Sequence, residues 1–171
     1  MEKEDVMKQD HPNAWDYCCN AALRRASRRI SQLYDAALAP SGLRTTQYSL
    51  LSQIHLSAEP TLRALASGLV MDQSALGHTL KPLLRDGYVE LIPDPNDRRT
   101  KRIRLTEAGR LKQTEATALW QDAQARFDAG FGLEASRALR LTLAHLASAE
   151  FAETMKPARA QATADPVARN M

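Results

Sequence analysis

The stretch MDQSALGHTLKPLLRDGYVELIPDPNDRRTKRIRL, residues 71–105, decides the fold. Its first half has the pattern of an amphipathic helix. Asp72 stands at a cap position, Leu76, Thr79, Leu80 and Leu83 share one face, and Gly87 supplies the stop. Gln73, Ser74, Gly77, His78, Lys81 and Arg85 share the other face, which holds groups able to meet base edges and phosphates. Gly77 leaves room for a close backbone approach. Pro82 removes an interior hydrogen bond at a cost of roughly 3 kcal/mol unless the helix bends, so a kink is expected around His78 to Pro82. The second half is two strand-like runs, Tyr88–Ile92 and Lys101–Leu105, joined by Pro93-Asp-Pro-Asn-Asp97, residues suited to a turn. Arg98, Arg99, Lys101, Arg102 and Arg104 place five cations in seven residues. A basic hairpin directly after a helix with a polar face outlines a winged helix, a shape for reading DNA. The competing reading is an ordinary edge strand guarded by charge.

Toward the N-terminus, Thr61 is placed to cap a short helix, Leu62–Ser67, ended by Gly68 in a left-handed position. With the helix after Asp72 it makes a helix-turn-helix. Glu59-Pro60 breaks the preceding helix, Thr46–Leu56, which Thr45 caps and which turns Tyr48, Leu51 and Ile54 or His55 inward. Residues 13–40 carry a long first helix, from an Asn13 cap with Asp16 in its first turn to the stop at Pro40-Ser-Gly42. Trp15, Cys19, Leu23, Ala26, Ile30, Leu33, Tyr34 and Ala37 form one apolar arc on it. Arg24, Arg25, Arg28 and Arg29 lie opposite, either as a DNA-directed patch or as a solvated face that pairs with acids across an interface. Residues 1–12 read as a flexible arm.

Toward the C-terminus, Thr106 caps a fifth helix with Glu107 in its first turn. Leu111, Leu119, Trp120, Ala123 and Phe127 are apolar along it, and Gly130-Phe-Gly132 ends it. A sixth helix is expected from Glu134 to about Met155, with Leu139, Leu143, Leu146 and Phe151 apolar. Residues 156–171 read as a mobile tail.

Composition narrows the function. The chain has 171 residues, 44% of them hydrophobic, enough for a core, with a net charge of +3 and a sequence pI near 9.0 that leans toward an anionic partner. The two cysteines, Cys18 and Cys19, are adjacent and supply no disulfide framework. No apolar run reaches membrane-span length, and a polar start unlike a signal peptide makes the expected location cytoplasmic. His11, His55, His78 and His145 are scattered without partners at metal-ligand spacing, and no glycine-rich phosphate loop or nucleophile elbow is present. No catalytic residue, metal site or cofactor is therefore expected, and the protein does not read as an enzyme.

Three stretches resemble the MarR (multiple antibiotic resistance regulator) family of bacterial transcription factors. They are SQLYDAALAPSGLRTTQYSLL at residues 31–51, Met71-Asp-Gln-Ser through LKPLLRDGYVE ending at residue 90, and DPNDRRTKRIRLTEAGR at residues 94–110. The last carries the family's D-x-R-x5-L-T signature as Asp97, Arg99, Leu105 and Thr106. The resemblance covers roughly residues 13–155. It implies a mainly α fold with a small β-wing, in which a winged helix-turn-helix (residues 45–106) is flanked by dimerisation helices (13–40 and 107–155). It also implies a homodimer on a palindromic operator in double-stranded DNA. The fourth helix would enter the major groove through Gln73, Ser74, His78 and Lys81, with Thr61, Arg85, Arg98 and Lys101 in support. Arg99 would reach the minor groove or its phosphates, Asp97 would hold the wing turn, and a strand around Pro60-Thr61 would complete a three-stranded sheet. Gly77 departs from the small hydroxyl residue that is more usual in the family.

The family commonly answers a small, often phenolic, anion or an oxidant, which makes the expected function a repressor released from DNA by such a signal. A crevice lined by Trp15, Tyr34, His55 and Trp120, with Arg25 or Arg28 neutralising a carboxylate, would hold an aromatic acid, unless these aromatics are simply core. Cys18 and Cys19 lie in the region where oxidant-sensing relatives keep a reactive cysteine. Cys19, on the apolar arc, should be buried and inert, and Cys18 should face Arg25 and Arg29. A helical adaptor that binds only protein is the remaining alternative.

Overall fold

The computed structural model describes residue 15, residues 17–97 and residues 99–157. The expected arm, the Asn13 cap, Asp16, Arg98 and the tail beyond residue 157 lie outside the described residues. Two compact units are present, one up to Ala123 and one from Gln124.

In the first unit, α1 (Cys19–Leu38) ends in a 3-10 turn, Ala39–Ser41, and Gly42 follows at φ +72°. Next come α2 (Thr45–Ser57), α3 (Leu62–Gly68) and α4 (Gln73–Arg85). Strands β1 (Val89–Pro93) and β2 (Lys101–Leu105) form the hairpin, and α5 (Glu107–Phe131) follows. The second unit contains the end of α5, then α6 (Leu133–Leu146) and α7 (Ala149–Thr154). Among the described residues no helix is long and apolar enough to cross a membrane.

The first unit closes around one core. Leu51 and Ile54 from α2, Leu65 from α3, Leu76, Leu80 and Leu83 from α4, Val89 from β1 and Ile103 and Leu105 from β2 are buried together. Each such side chain contributes about 1.5–3 kcal/mol by leaving water. The period of α4 therefore does what its sequence says: its leucine face seals this core and leaves the opposite face outside.

The caps are largely local. Thr61 Oγ1 accepts from Ala64 N at 3.1 Å, and Asp72 Oδ1 accepts from Ala75 N at 2.7 Å. Gly109 N donates to Thr106 Oγ1 at 3.0 Å, while the Thr106 hydroxyl donates to Gly87 O at 2.6 Å. Gly87 takes φ +71°, as its stop role requires.

Five local expectations need correction. At α2, Arg44 holds the cap position, and Gln47 Oε1 accepts from its N–H at 2.9 Å. Thr45 is the first helical residue, and its N–H donates to Asp35 Oδ1 of α1 at 2.7 Å, so a distant carboxylate replaces a local cap. That bond holds the Asp35 carboxyl below its usual range. At the end of α3 the left-handed residue is Val70, at φ +53°, and not Gly68. Met71 N donates to Ala66 O at 2.9 Å and Val70 N to Ser67 O at 3.1 Å, which is the Schellman pairing. The expected third wing strand is one bridge between Thr61 and Arg102, because Pro60 offers only a carbonyl, taken by Ile103 N at 2.9 Å. The expected sixth helix is two helices, since Ser148 Oγ accepts from Phe151 N at 3.1 Å and starts α7 afresh. Finally, Cys19 is exposed and Cys18 is the half-buried N-cap of α1. The apolar arc exists, but Leu23, Ile30 and Leu33 on it are exposed among the described residues.

Candidate nucleic-acid interface

The α4 helix runs through Pro82 as one element. Gln73, Ser74, His78 and Lys81 are exposed along it, and Gly77 is half-buried with open space where a Cβ would stand. None of the four exposed side chains has a partner among the described residues. Arg85, at the C-terminal end, is instead folded back on Asp86, with Nε donating to Oδ1 at 2.8 Å and the carboxyl held low by the guanidinium. Thr61 is half-buried, and its hydroxyl oxygen is occupied by the cap of α3.

The hairpin pairs Val89 with Leu105, Leu91 with Ile103 and Pro93 with Lys101. Alternation then sorts the basic residues. Ile103 and Leu105 go to the core, while Arg102 and Arg104 share the opposite face. Arg102 Nε donates to Asp94 Oδ2 at 2.6 Å, and Arg104 pairs with Glu90 at 3.0 Å and Glu59 at 3.8 Å. These two cations are thus neutralised within the fold, which corrects their reading as free wing charge. Arg99 and Lys101 are exposed with no partner among the described residues.

Asp97 structures the turn: its Oδ1 accepts from Arg99 N at 2.9 Å and its Oδ2 from the Thr100 hydroxyl at 3.0 Å. Asp94, which the sequence did not single out, does more. It is only 7% exposed, and its Oδ1 accepts from Asn96 N at 2.8 Å and Asp97 N at 3.2 Å. These backbone bonds, with Arg102, hold its carboxyl below the ordinary range. Its place as the first aspartate of the turn was the available signal. Arg63, which the sequence did not single out, is exposed on α3 without a partner among the described residues.

Two of the residues expected to hold an effector, His55 and Arg28, line separate cavities. His55 is exposed and lines a cavity of about 160 Å³ with Ile54, Glu59, Arg104 and Arg110. Arg28 lines another of about 370 Å³ with Leu23, Arg24 and Ser27. Neither includes Trp15, Tyr34 or Arg25 among its described lining. Trp120 is packed on the core, its ring 6.1 Å from that of Tyr48, whose hydroxyl lies 3.2 Å from Thr117 Oγ1. No carboxylate partners Arg24, Arg25, Arg28 or Arg29 among the described residues, and Arg29 meets only Gln32 at 3.4 Å. No cluster of metal-ligating residues is present among the described residues.

Comparison with known proteins agrees with this geometry. The MarR family model matches residues 43–101, from the start of α2 to the return strand of the wing. The multiple antibiotic resistance protein MarR of Escherichia coli (strain K12) is 30% identical over 87 residues, 51% of this chain and 60% of that protein. The match thus spans about three fifths of that relative's length. The transcriptional regulator MosR of M. tuberculosis, solved in complex with DNA, superposes with a TM-score of 0.72 at 36% identity, covering 82% of this chain and 99% of that one. CouR from Rhodococcus jostii RHA1, solved bound to p-coumaroyl-CoA, gives a TM-score of 0.68 at 26% identity over 80% and 96% of the two chains.

Proposed function

Because this chain belongs to the MarR family, we propose that it is a dimeric, sequence-specific DNA-binding regulator of transcription, a repressor released from a palindromic operator by a small aromatic acid or its thioester. One observation carries the DNA reading. The cations and amides of the outer face of α4 and of the wing tip (Gln73, His78, Lys81, Arg99, Lys101) are left without partners among the described residues, while Arg85, Arg102 and Arg104 pair with carboxylates of this chain. Gln73, Ser74, His78 and Lys81 read the major groove. Arg99, with Lys101 and Arg98, follows the backbone into the minor groove, and Thr61 and Arg63 stand against phosphates.

The dimer reading is supported by apolar surface that one chain leaves open: Leu23 and Leu33 on α1, and Leu141 and Leu143 on α6. Such a set is what a second copy covers. The effector reading is supported by CouR, whose bound p-coumaroyl-CoA joins a phenol to an anionic carrier.

Selection of bound duplexes from a random pool, followed by a salt titration, tests the DNA reading. A steep fall in affinity with salt is expected, and Arg99→Ala should weaken binding with the dimer intact. Absence of any selected sequence would sink the reading. Release by phenolic acids or their CoA thioesters tests the effector. A second input is favoured by one observation, the exposure of the Cys19 thiol, since oxidation needs access. Peroxide-driven mass shift with loss of DNA binding, absent in a Cys18→Ser, Cys19→Ser protein, would establish it.

A further inference from the structure

Two arginines of β2, the half-buried Arg102 and the exposed Arg104, converge on one loop. Arg102 donates from Nε to Asp94 Oδ2 at 2.6 Å and from its terminal nitrogen to the Glu59 carbonyl at 3.2 Å. Arg104 reaches the Glu59 carboxylate at 3.8 Å. Backbone contacts lie on either side, with Thr61 bridged to Arg102 and Ile103 N bonded to Pro60 O. The loop is itself held in an uncommon shape: Ala58 and Glu59 follow one another at φ +47° and +65°. Left-handed non-glycine residues are unfavourable and persist where their surroundings fix them.

Resting on the DNA reading above, we propose that this latch sets the angle of the wing to the helix-turn-helix, so that Arg102 is a positioning residue for Arg99 and not a phosphate contact. The chain of bonds is short. Glu59 lies between α2 and α3, Arg102 carries the connection to Asp94, Asp94 accepts from Asp97 N, and Asp97 accepts from Arg99 N. A two-stranded ribbon is marginal on its own, and one free to swing must be ordered each time it meets a groove. Fixing it in advance removes that cost.

Double-mutant analysis of the full chain on a selected duplex tests this, with Arg102→Met, Arg99→Ala and the pair together. Arg102→Met should lose about tenfold in affinity, leave the salt slope unchanged, and cost almost nothing once Arg99 is alanine. Arg102→Lys should behave like the methionine variant, because a point charge lacks the fork that spans carboxylate and carbonyl. In the free protein, amides from Asn96 to Thr100 should exchange faster in Arg102→Met, with melting otherwise preserved. Additive losses with a salt slope reduced by about one would make Arg102 a phosphate contact and overturn the proposal, as would unchanged wing exchange. Should the wild type bind no duplex, the DNA reading falls, and the exchange measurement still judges the latch.

Discussion

Between Leu43 and Leu105, residues that the sequence period turns inward are sealed, and Leu51, Leu76, Leu83 and Ile103 have none of their surface exposed. On α1 and in the unit beyond Gln124, residues of the same kind stand in water: Leu33 is 56% exposed and Leu141 74%. The periodicity is equally regular in both regions. It identifies which face is apolar but carries no information on what covers that face. In the reading lobe the cover comes from α3, β1 and β2, within the same hundred residues. For the other faces no described residue supplies the cover, and if a second copy supplies it, as proposed, their contribution to stability is a matter of protein concentration.

Four substitutions press on this contrast, in decreasing order of effect. Gly109→Ala should be the most damaging, because a Cβ there would overlap the Tyr88 carbonyl oxygen, which also accepts from Thr106 N at 3.1 Å. Backbone cannot yield as a flexible side chain can, so α5 must part from the foot of the wing. A loss of at least about 3 kcal/mol is expected, read as a shift in the urea midpoint or as insoluble protein. A melt within a degree of wild type would mean that the junction is looser than drawn.

Truncating leucines on the two sides of the comparison comes next. Leu80→Ala should cost about 2–5 kcal/mol at every protein concentration. Leu141→Ala should cost little in dilute protein and more as concentration rises, by weakening the dimer. Equal, concentration-independent losses would erase the distinction between the regions. The smallest effect is expected at the junction of α1 and α2. Asp35→Ala removes the carboxylate that receives Thr45 N, worth about 1 kcal/mol by analogy with a cap. The folded pKa of Asp35 is depressed. Its contribution is therefore complete above the unfolded value near 3.9 and is lost as pH falls through the lower folded value. Wild type and variant should converge in acid; a gap that persists there would show that the effect is not the charge.

The reading helix was the most legible part of the chain, for a physical reason. Asp72, Leu76, Leu80, Leu83 and Gly87 act within one or two turns of themselves, so their consequences are written locally. Asp94 and Asp97 lie three residues apart and look alike in sequence. What separates them is Arg102, eight residues beyond Asp94 and brought alongside by strand pairing. Val70 displaces Gly68 as the left-handed residue because the turn must deliver Met71 N to Ala66 O, a condition set by where α4 has to start. His55 keeps company with Arg104 and Arg110, and not with Trp15, because α2 packs on β2. Periodicity and cap chemistry reach about four residues; the Ser148 cap lies within that reach, whereas the placements of Asp94, Val70 and His55 depend on longer distances.

The arginine face of α1 has a consequence for how this protein meets ionic strength. Arg24 with Arg28 and Arg25 with Arg29 stand one turn apart, like charges at the spacing where they repel by a few tenths of a kcal/mol, with no carboxylate beside them among the described residues. Added salt screens that repulsion and so tightens the helix. The same salt would loosen the phosphate contacts proposed for Lys81, Arg99 and Lys101. Helix content in α1 and hold on DNA should therefore move in opposite directions along one salt gradient, and a condition chosen to favour either would work against the other.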